Sequence, residues 1–202
     1  AVPIQGGSVA GPLTSVKLGG LYQVDQFHGT DFGSQLRACI QGLDQTYGGT
    51  CDARNFTGSQ SMGSDLTIST ANVTVELPCA TISTAHQIAI TAGTRNVTFH
   101  GCGLRGASDA SGSKGGTVFL YSGTGAMVQV GDPTYSINTA GFHFDNAVIN
   151  TTTSSASTAQ GLVAYRTQEL DLASLYFLGN SNQTGVTLDG TGNYTGGTFQ
   201  DD

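Results

Sequence analysis

Four charged residues in the last quarter of the sequence are candidates for catalytic chemistry. Arg166, Glu169 and Asp171 lie close together, and Asp189 follows at about the length of one repeat. If the chain forms stacked turns, carboxylates on adjacent turns lie roughly 5 Å apart. That spacing suits an acid and nucleophile pair or a calcium site. The alternative is that all four are corner residues that face water.

A second group of candidates is weaker. Phe142 and Phe144 flank His143, and this alternation predicts that His143 points away from the core, as a surface residue would. Asp145 follows two residues later. Sugar rings stack on aromatic faces, so three tyrosines are candidates for a sugar-binding face: Tyr165, Tyr176 and Tyr194. The equal alternative is that they pack within the wall of the fold.

Short repeats predict the fold that would position these residues. Asn72-Val-Thr-Val75 recurs as Asn96-Val-Thr-Phe99, 24 residues later, and residues 66–68 are matched by residues 88–90. Residues 161–165 are likewise followed by residues 185–189. Alternating strands at such a period are typical of a solenoid, in which each turn buries its apolar face on its neighbours.

One segment has a helical period instead. Apolar residues at Phe32, Leu36, Cys39, Ile40 and Leu43 define one face of a helix, with Thr30 or Asp31 as its N-cap. A single helix before a solenoid is best explained as a cap over the first turn. The predicted organisation is an extended arm over 1–20, a cap over 21–57 and solenoid turns over 58–202, open or truncated at the C-terminal end. Residues 106–116 and 151–158 are predicted loops.

Composition excludes several partner classes. The 30 glycines are typical of a β-rich chain with many turns. The net charge of −7 argues against binding to nucleic acid or to an anionic membrane surface, since both require a basic surface. No run of 18 apolar residues occurs, which predicts no membrane insertion. The start at Ala1, without a methionine, predicts a mature end left after removal of a secretion signal, and an end chosen for expression is the alternative.

The four cysteines fit an oxidising compartment. Three pairings are open, and the spacing favours Cys39 with Cys51 and Cys79 with Cys102, since the second pair lies about one turn apart. Buried free thiols are the alternative. A metal site is disfavoured because no C-x-x-C spacing is present.

Six asparagines begin N-x-Ser/Thr sequons, which predicts a secreted glycoprotein. They are Asn55, Asn72, Asn96, Asn150, Asn182 and Asn193. The alternative for Asn72 and Asn96 is a corner residue before each repeated strand.

Three stretches carry a family resemblance. Residues 27–40 (FHGTDFGSQLRACI) and 48–54 (GGTCDAR) resemble the N-terminal capping region of secreted pectate-lyase-like proteins, and residues 185–193 resemble their later coils. The resemblance implies an all-β, right-handed parallel β-helix of five or six turns with an N-terminal capping helix. It does not specify an activity. The Gly-His-Gly motif of the polygalacturonase-like hydrolases is absent from the sequence.

Two functions follow as expectations. The first is an extracellular carbohydrate-interacting protein, similar to a polysaccharide lyase or glycoside hydrolase, in which Ca²⁺ would be implied for a polyuronate substrate. The second is a structural or adhesive protein that self-assembles into a homo-oligomer through its N-terminal arm and open β-helix end.

Overall fold

The computed structural model describes residues 20–104, 116–134 and 137–190. Most of the ordered elements are strands, joined by one α-helix and a short 3-10 helix at Val24–Gln26. In chain order the elements are β1 (Leu21–Gln23), α1 (Phe32–Gly42), β2 (Gly49–Asp52), β3 (Gly58–Met62), β4 (Leu66–Ile68), β5 (Val73–Glu76), β6 (Ala80–Thr84), β7 (Ile88–Ile90), β8 (Arg95–His100), β9 (Thr117–Tyr121), β10 (Ala126–Val130), β11 (Thr139–Asn150), β12 (Gln160–Tyr165), β13 (Thr167–Leu178) and β14 (Thr184–Asp189).

The strands form two sheets in which every described pair of named strands is parallel. The five-stranded sheet has the order β14-β12-β10-β7-β4. The nine-stranded sheet has the order β1-β2-β5-β8-β11-β9-β6-β3, and β13 also pairs with β11. The prediction of a parallel all-β fold with one helix is confirmed at this level.

The nine-stranded sheet has two walls because its longest strands bend. The first half of β11 pairs with β8 and its second half pairs with β9. Between the halves lies Asn146, whose φ of 53° is left-handed, and β13 has the same conformation at Ser174, with φ of 50°. We call the part formed by β1, β2, β5, β8 and the first halves of β11 and β13 the first wall.

The strand register stacks equivalent residues on one another. Val73 pairs with Val97, and Leu66 pairs with Ile88, so the repeats read from the sequence lie side by side. Side chains alternate along each strand, and one row of the first wall therefore points into the core.

Aromatic rings fill the core behind the middle of the first wall. Phe99, Phe142 and Phe144 are all buried. The ring centroids of Phe99 and Phe144 are 5.6 Å apart, and the ring centroid of Phe119 on β9 lies 6.3 Å from that of Phe144. This aromatic stack holds β8 and β11 in place, and the other face of these two strands is partly exposed to solvent.

The predicted helix is present, and Asp31 is its N-cap. The Asp31 carboxylate accepts a hydrogen bond from the Ser34 backbone N–H at 2.7 Å. The apolar face of α1 is buried in the core cluster at one end of the stack. Within the predicted cap, β1 ends at Gln23, because the 3-10 helix follows it.

Two disulfide bonds join Cys39 to Cys51 and Cys79 to Cys102, the pairing that the sequence favours. The loop after β11 packs closely, since the buried Ser154 hydroxyl donates to the Gly123 carbonyl at 2.7 Å. Residues 1–19 of the predicted arm and residues 106–115 of the predicted loop lie outside the described residues. Within the described ranges, no helix has the length and apolarity needed to cross a membrane.

Candidate functional site

Two histidines and two aspartates from three adjacent strands meet on the outer face of the first wall. The register places His100 of β8 beside Asp145 of β11, and His143 of β11 beside Asp171 of β13. Phe99, which precedes His100, faces the core, so alternation turns the histidine outward. We call these four side chains the His–Asp cluster.

Three short contacts connect the His–Asp cluster. The Nε2 atom of His143 lies 2.8 Å from Oδ2 of Asp145, and its Nδ1 atom lies 2.7 Å from Oδ2 of Asp171. The Nδ1 atom of His100 lies 3.0 Å from the same Oδ2 atom of Asp145. Asp145 is therefore shared by two imidazoles, and His143 is held between two carboxylates.

The cluster is half-buried, and its polar atoms are unevenly satisfied. The Asp145 side chain is 14% exposed, whereas that of Asp171 is 54% exposed. The second carboxylate oxygen of Asp145, Oδ1, is buried and has no hydrogen-bond partner among the described residues. Such an atom in a native structure calls for an explanation, because burying an unpaired acceptor is costly.

The contacts shift two pKa values. Burial favours the neutral form of His143, but the hydrogen bonds and negative charges of Asp145 and Asp171 outweigh it and raise the pKa of His143. Burial also opposes ionisation of Asp145, but its contacts with His143 and His100 lower the pKa of this carboxyl group.

The cluster belongs to a longer outward row on the first wall. The strand register aligns Asp52, Glu76, His100 and Asp145 on four successive strands. At the far end of this row, Arg54 forms an ion pair with Asp52 at 2.8 Å. The first wall thus presents a charged stripe across the stack.

The structure separates the four predicted catalytic residues. Asp171 belongs to the His–Asp cluster, and Glu169 lies exposed two residues earlier on the same strand. Asp189 lies on the five-stranded sheet, where it pairs with Tyr165, and its carbonyl accepts from the Arg166 backbone N–H at 3.2 Å. Asp189 does not stack on Asp171, because β14 pairs with β12 whereas β13 pairs with β11.

The predicted aromatic face does not form as a unit. Tyr165 lies on β12 of the five-stranded sheet, and Tyr176 lies on the second half of β13. The two tyrosines therefore lie in different sheets. Tyr194 lies outside the described residues.

The sequons differ in accessibility. Asn55, Asn72, Asn96 and Asn182 are exposed, and Asn193 lies outside the described residues. Asn72 and Asn96 are stacked corner residues with φ of 57° and 55°, and the Asn96 amide donates to Asn72 at 2.8 Å. Asn150 is 1% exposed, and its side chain accepts from the Thr152 backbone. The predicted glycan at Asn150 does not fit the folded chain.

Sequence reasoning treated His143 as an ordinary surface residue and did not identify His100 as a candidate. The information for His100 was present in the repeat, since His100 follows Asn96-Val-Thr-Phe99 as Glu76 follows Asn72-Val-Thr-Val75. The repeat therefore places both residues on one outward row. No such repeat aligns His100 with Asp145, which lies 45 residues further along the chain.

Comparisons of the chain with protein-family models, curated proteins and solved structures found no match. The residues of the first wall are therefore the basis for a functional proposal.

Proposed function

We propose that this chain is a secreted, right-handed parallel β-helix protein that binds a polysaccharide across the first wall and cleaves it at the His–Asp cluster. The observation that carries this proposal is the placement of Asp145 and Asp171 on opposite sides of His143. The two disulfides support an oxidising compartment, as expected of a secreted protein.

The first wall suits an extended polar ligand. Its strands are parallel and follow one another at about 4.8 Å, so outward side chains repeat at a fixed interval. The stripe from Asp52 to Asp145 crosses four strands. A polymer of sugar units that lies along the stack would meet the exposed guanidinium of Arg54 beside Asp52, and then Glu76, His100 and the carboxylates around His143.

The pair of carboxylates holds the His143 ring from both sides. Each approaches one nitrogen of the same imidazole, at 2.7 and 2.8 Å. Because these contacts raise the pKa of His143, its imidazole can hold the proton that a departing sugar oxygen requires. Asp171, whose side chain is 54% exposed, can accept the proton of an attacking water molecule. The cluster thus supports proton transfer with His143 as the acid and Asp171 as the base.

Turnover of a panel of neutral and acidic polysaccharides tests the proposal. New reducing ends report hydrolysis, and absorbance of an unsaturated uronate reports elimination. We expect Asp145→Asn and Asp171→Asn each to lower turnover at least 100-fold, since each removes a carboxylate from the pair.

Asp65→Asn is the matched control, because Asp65 also contacts a histidine but does not belong to the first wall. Its Oδ1 atom lies 3.2 Å from Nδ1 of His86. Equal activity of wild type and both cluster variants would reject the catalytic role. The absence of wild-type turnover on the whole panel would also count against it. For an acidic substrate, removal of Ca²⁺ with a chelator tests whether the ion bridges the acidic wall and the polymer.

A self-assembling structural protein is the second candidate, and one observation favours it. Ala164 of β12 is fully buried, whereas its register partner Leu188 on β14 is 43% exposed. Tyr176, on β13 of the other sheet, is also exposed. Light scattering coupled to size exclusion would show an oligomer that Leu188→Ser and Tyr176→Ser weaken, whereas a monomer at all concentrations would reject this function.

A further inference from the structure

We propose that His100, His143 and Asp145 bind a divalent transition-metal ion, with Asp171 orienting His143. The ligand atoms that these three residues offer all lie within 4.8 Å of one another. Two imidazole nitrogens and one carboxylate form a donor set that suits zinc, iron or cobalt. This inference does not depend on the proposed cleavage of a polysaccharide.

The separations between the atoms fit a common ion. Oδ2 of Asp145 lies 3.0 Å from Nδ1 of His100 and 2.8 Å from Nε2 of His143. Ligand atoms of a tetrahedral ion with bonds of about 2.0–2.1 Å lie about 3.3 Å apart. The two separations that involve Asp145 would need to widen by a few tenths of an ångström to reach this value, and the ligand nitrogens of the two histidines lie within 4.8 Å of each other.

Asp171 supplies the support that metal-binding histidines generally have. Its carboxylate lies 2.7 Å from Nδ1 of His143, on the opposite side of the ring from Asp145. An acceptor at Nδ1 fixes the proton there and leaves the Nε2 lone pair for a metal. Asp171 is thus a positioning residue in this site.

The unpaired oxygen of Asp145 is an independent indication. Oδ1 is buried without a hydrogen-bond partner among the described residues, whereas Oδ2 of the same carboxylate contacts both His100 and His143. A cation bound by Asp145 would compensate this acceptor. With neutral imidazoles, Asp145 and Asp171 carry two negative charges, which match a divalent ion.

The donor set selects against calcium. Ca²⁺ takes six to eight oxygen ligands, whereas this site offers two nitrogens among three ligands. His100 and Asp171 are partly exposed, so solvent or a ligand can reach the remaining coordination positions. Three protein ligands with open positions are typical of catalytic metal sites.

Titration of the metal-free, untagged chain with Co²⁺ and Zn²⁺ tests the proposal. We expect one equivalent per chain, with visible cobalt absorption from nitrogen ligation and binding heat for Zn²⁺. His100→Gln and His143→Gln should each weaken binding at least tenfold, and Asp171→Asn should weaken it about 10–100-fold. Ca²⁺ should not compete.

His86→Gln is the matched control, because His86 contacts a single carboxylate, Asp65, at 3.2 Å. It should leave affinity unchanged, and circular dichroism should show all variants folded. Long-range histidine NMR of the zinc-bound chain should place the metal on Nε2 of His143. No cobalt binding, or binding that survives loss of both His100 and His143, would overturn the inference; metal binding without polysaccharide turnover would leave it intact.

Discussion

Asp52 and Asp145 lie on the same outward row of the first wall, three strands apart, and their environments differ. Both oxygens of Asp52 are hydrogen-bonded, with Arg54 donating from Nε at 2.9 Å and from Nη2 at 2.8 Å. Gln23 also donates to Asp52, at 3.2 Å. Asp145 uses one oxygen for two imidazoles and leaves the other unpaired.

The difference separates a structural carboxylate from one available to a ligand. A guanidinium is permanently charged and matches a carboxylate with two donors, so we expect the ion pair between Asp52 and Arg54 to stay intact. Imidazoles gain and lose protons near neutral pH and bind metals. The same row therefore holds a closed ion pair near the helical cap and an open cluster in the middle of the stack.

The largest expected effect comes from the aromatic stack beneath the open cluster. Phe144→Ala removes a buried ring that contacts Phe99 and Phe119, and should lower the free energy of unfolding by about 3–5 kcal/mol. Val75→Ala, nearer the closed end, removes fewer atoms and should cost less. Urea denaturation followed by circular dichroism measures both. A larger loss for Val75→Ala would show that the stack does not anchor this region.

The next effect concerns the closed end and depends on pH. Hydrogen bonds from Arg54 lower the pKa of Asp52 to about 2, despite the opposing effect of burial. Because the pKa is lower in the folded chain, this group stabilises the fold above about pH 4, and the contribution is lost as the pH falls towards 2.

Asp52→Asn should lower the free energy of unfolding at pH 7 by about 1–3 kcal/mol, since it disrupts buried hydrogen bonds to a charged group. Its stability should also change less between pH 5 and pH 2 than that of the wild type. Glu76→Gln, the next position on the row, is the control in the same urea series. An unchanged acid profile in Asp52→Asn would contradict the role of the ion pair.

Local patterns predicted much of this wall. The repeated Val-Thr motif identified strands that pair residue for residue, as Val73 and Val97 do. Alternation between Phe142 and Phe144 gave the outward direction of His143, which is half-buried on the solvent side. These features depend on neighbours within a few residues, so the sequence alone contains them.

The site depended on register over longer distances, which the sequence did not provide. Successive strands belong to different sheets, so Asp189, although near Asp171 in sequence, pairs with Tyr165 in the five-stranded sheet. The bends of β11 and β13 occur at Asn146 and Ser174, without glycine or proline to mark them. The alignment of His100 with Asp145 crosses such variable segments, and pattern reasoning could not fix it.

The smallest expected effect is the coupling between the two ends of the row. Asp52 and Asp145 are separated by three strand spacings of about 4.8 Å each, and Glu76 and His100 lie between them. In the metal-free chain, Asp52→Asn and Asp145→Asn should therefore be additive in unfolding free energy within about 0.5 kcal/mol. The contacting pair His143→Gln and Asp145→Asn should instead show a coupling of about 0.5–3 kcal/mol. Double-mutant cycles based on urea denaturation measure both coupling energies. If the distant pair were coupled as strongly as the contacting pair, the row would act as one charged network, and Asp52 and Asp145 would not have separate roles.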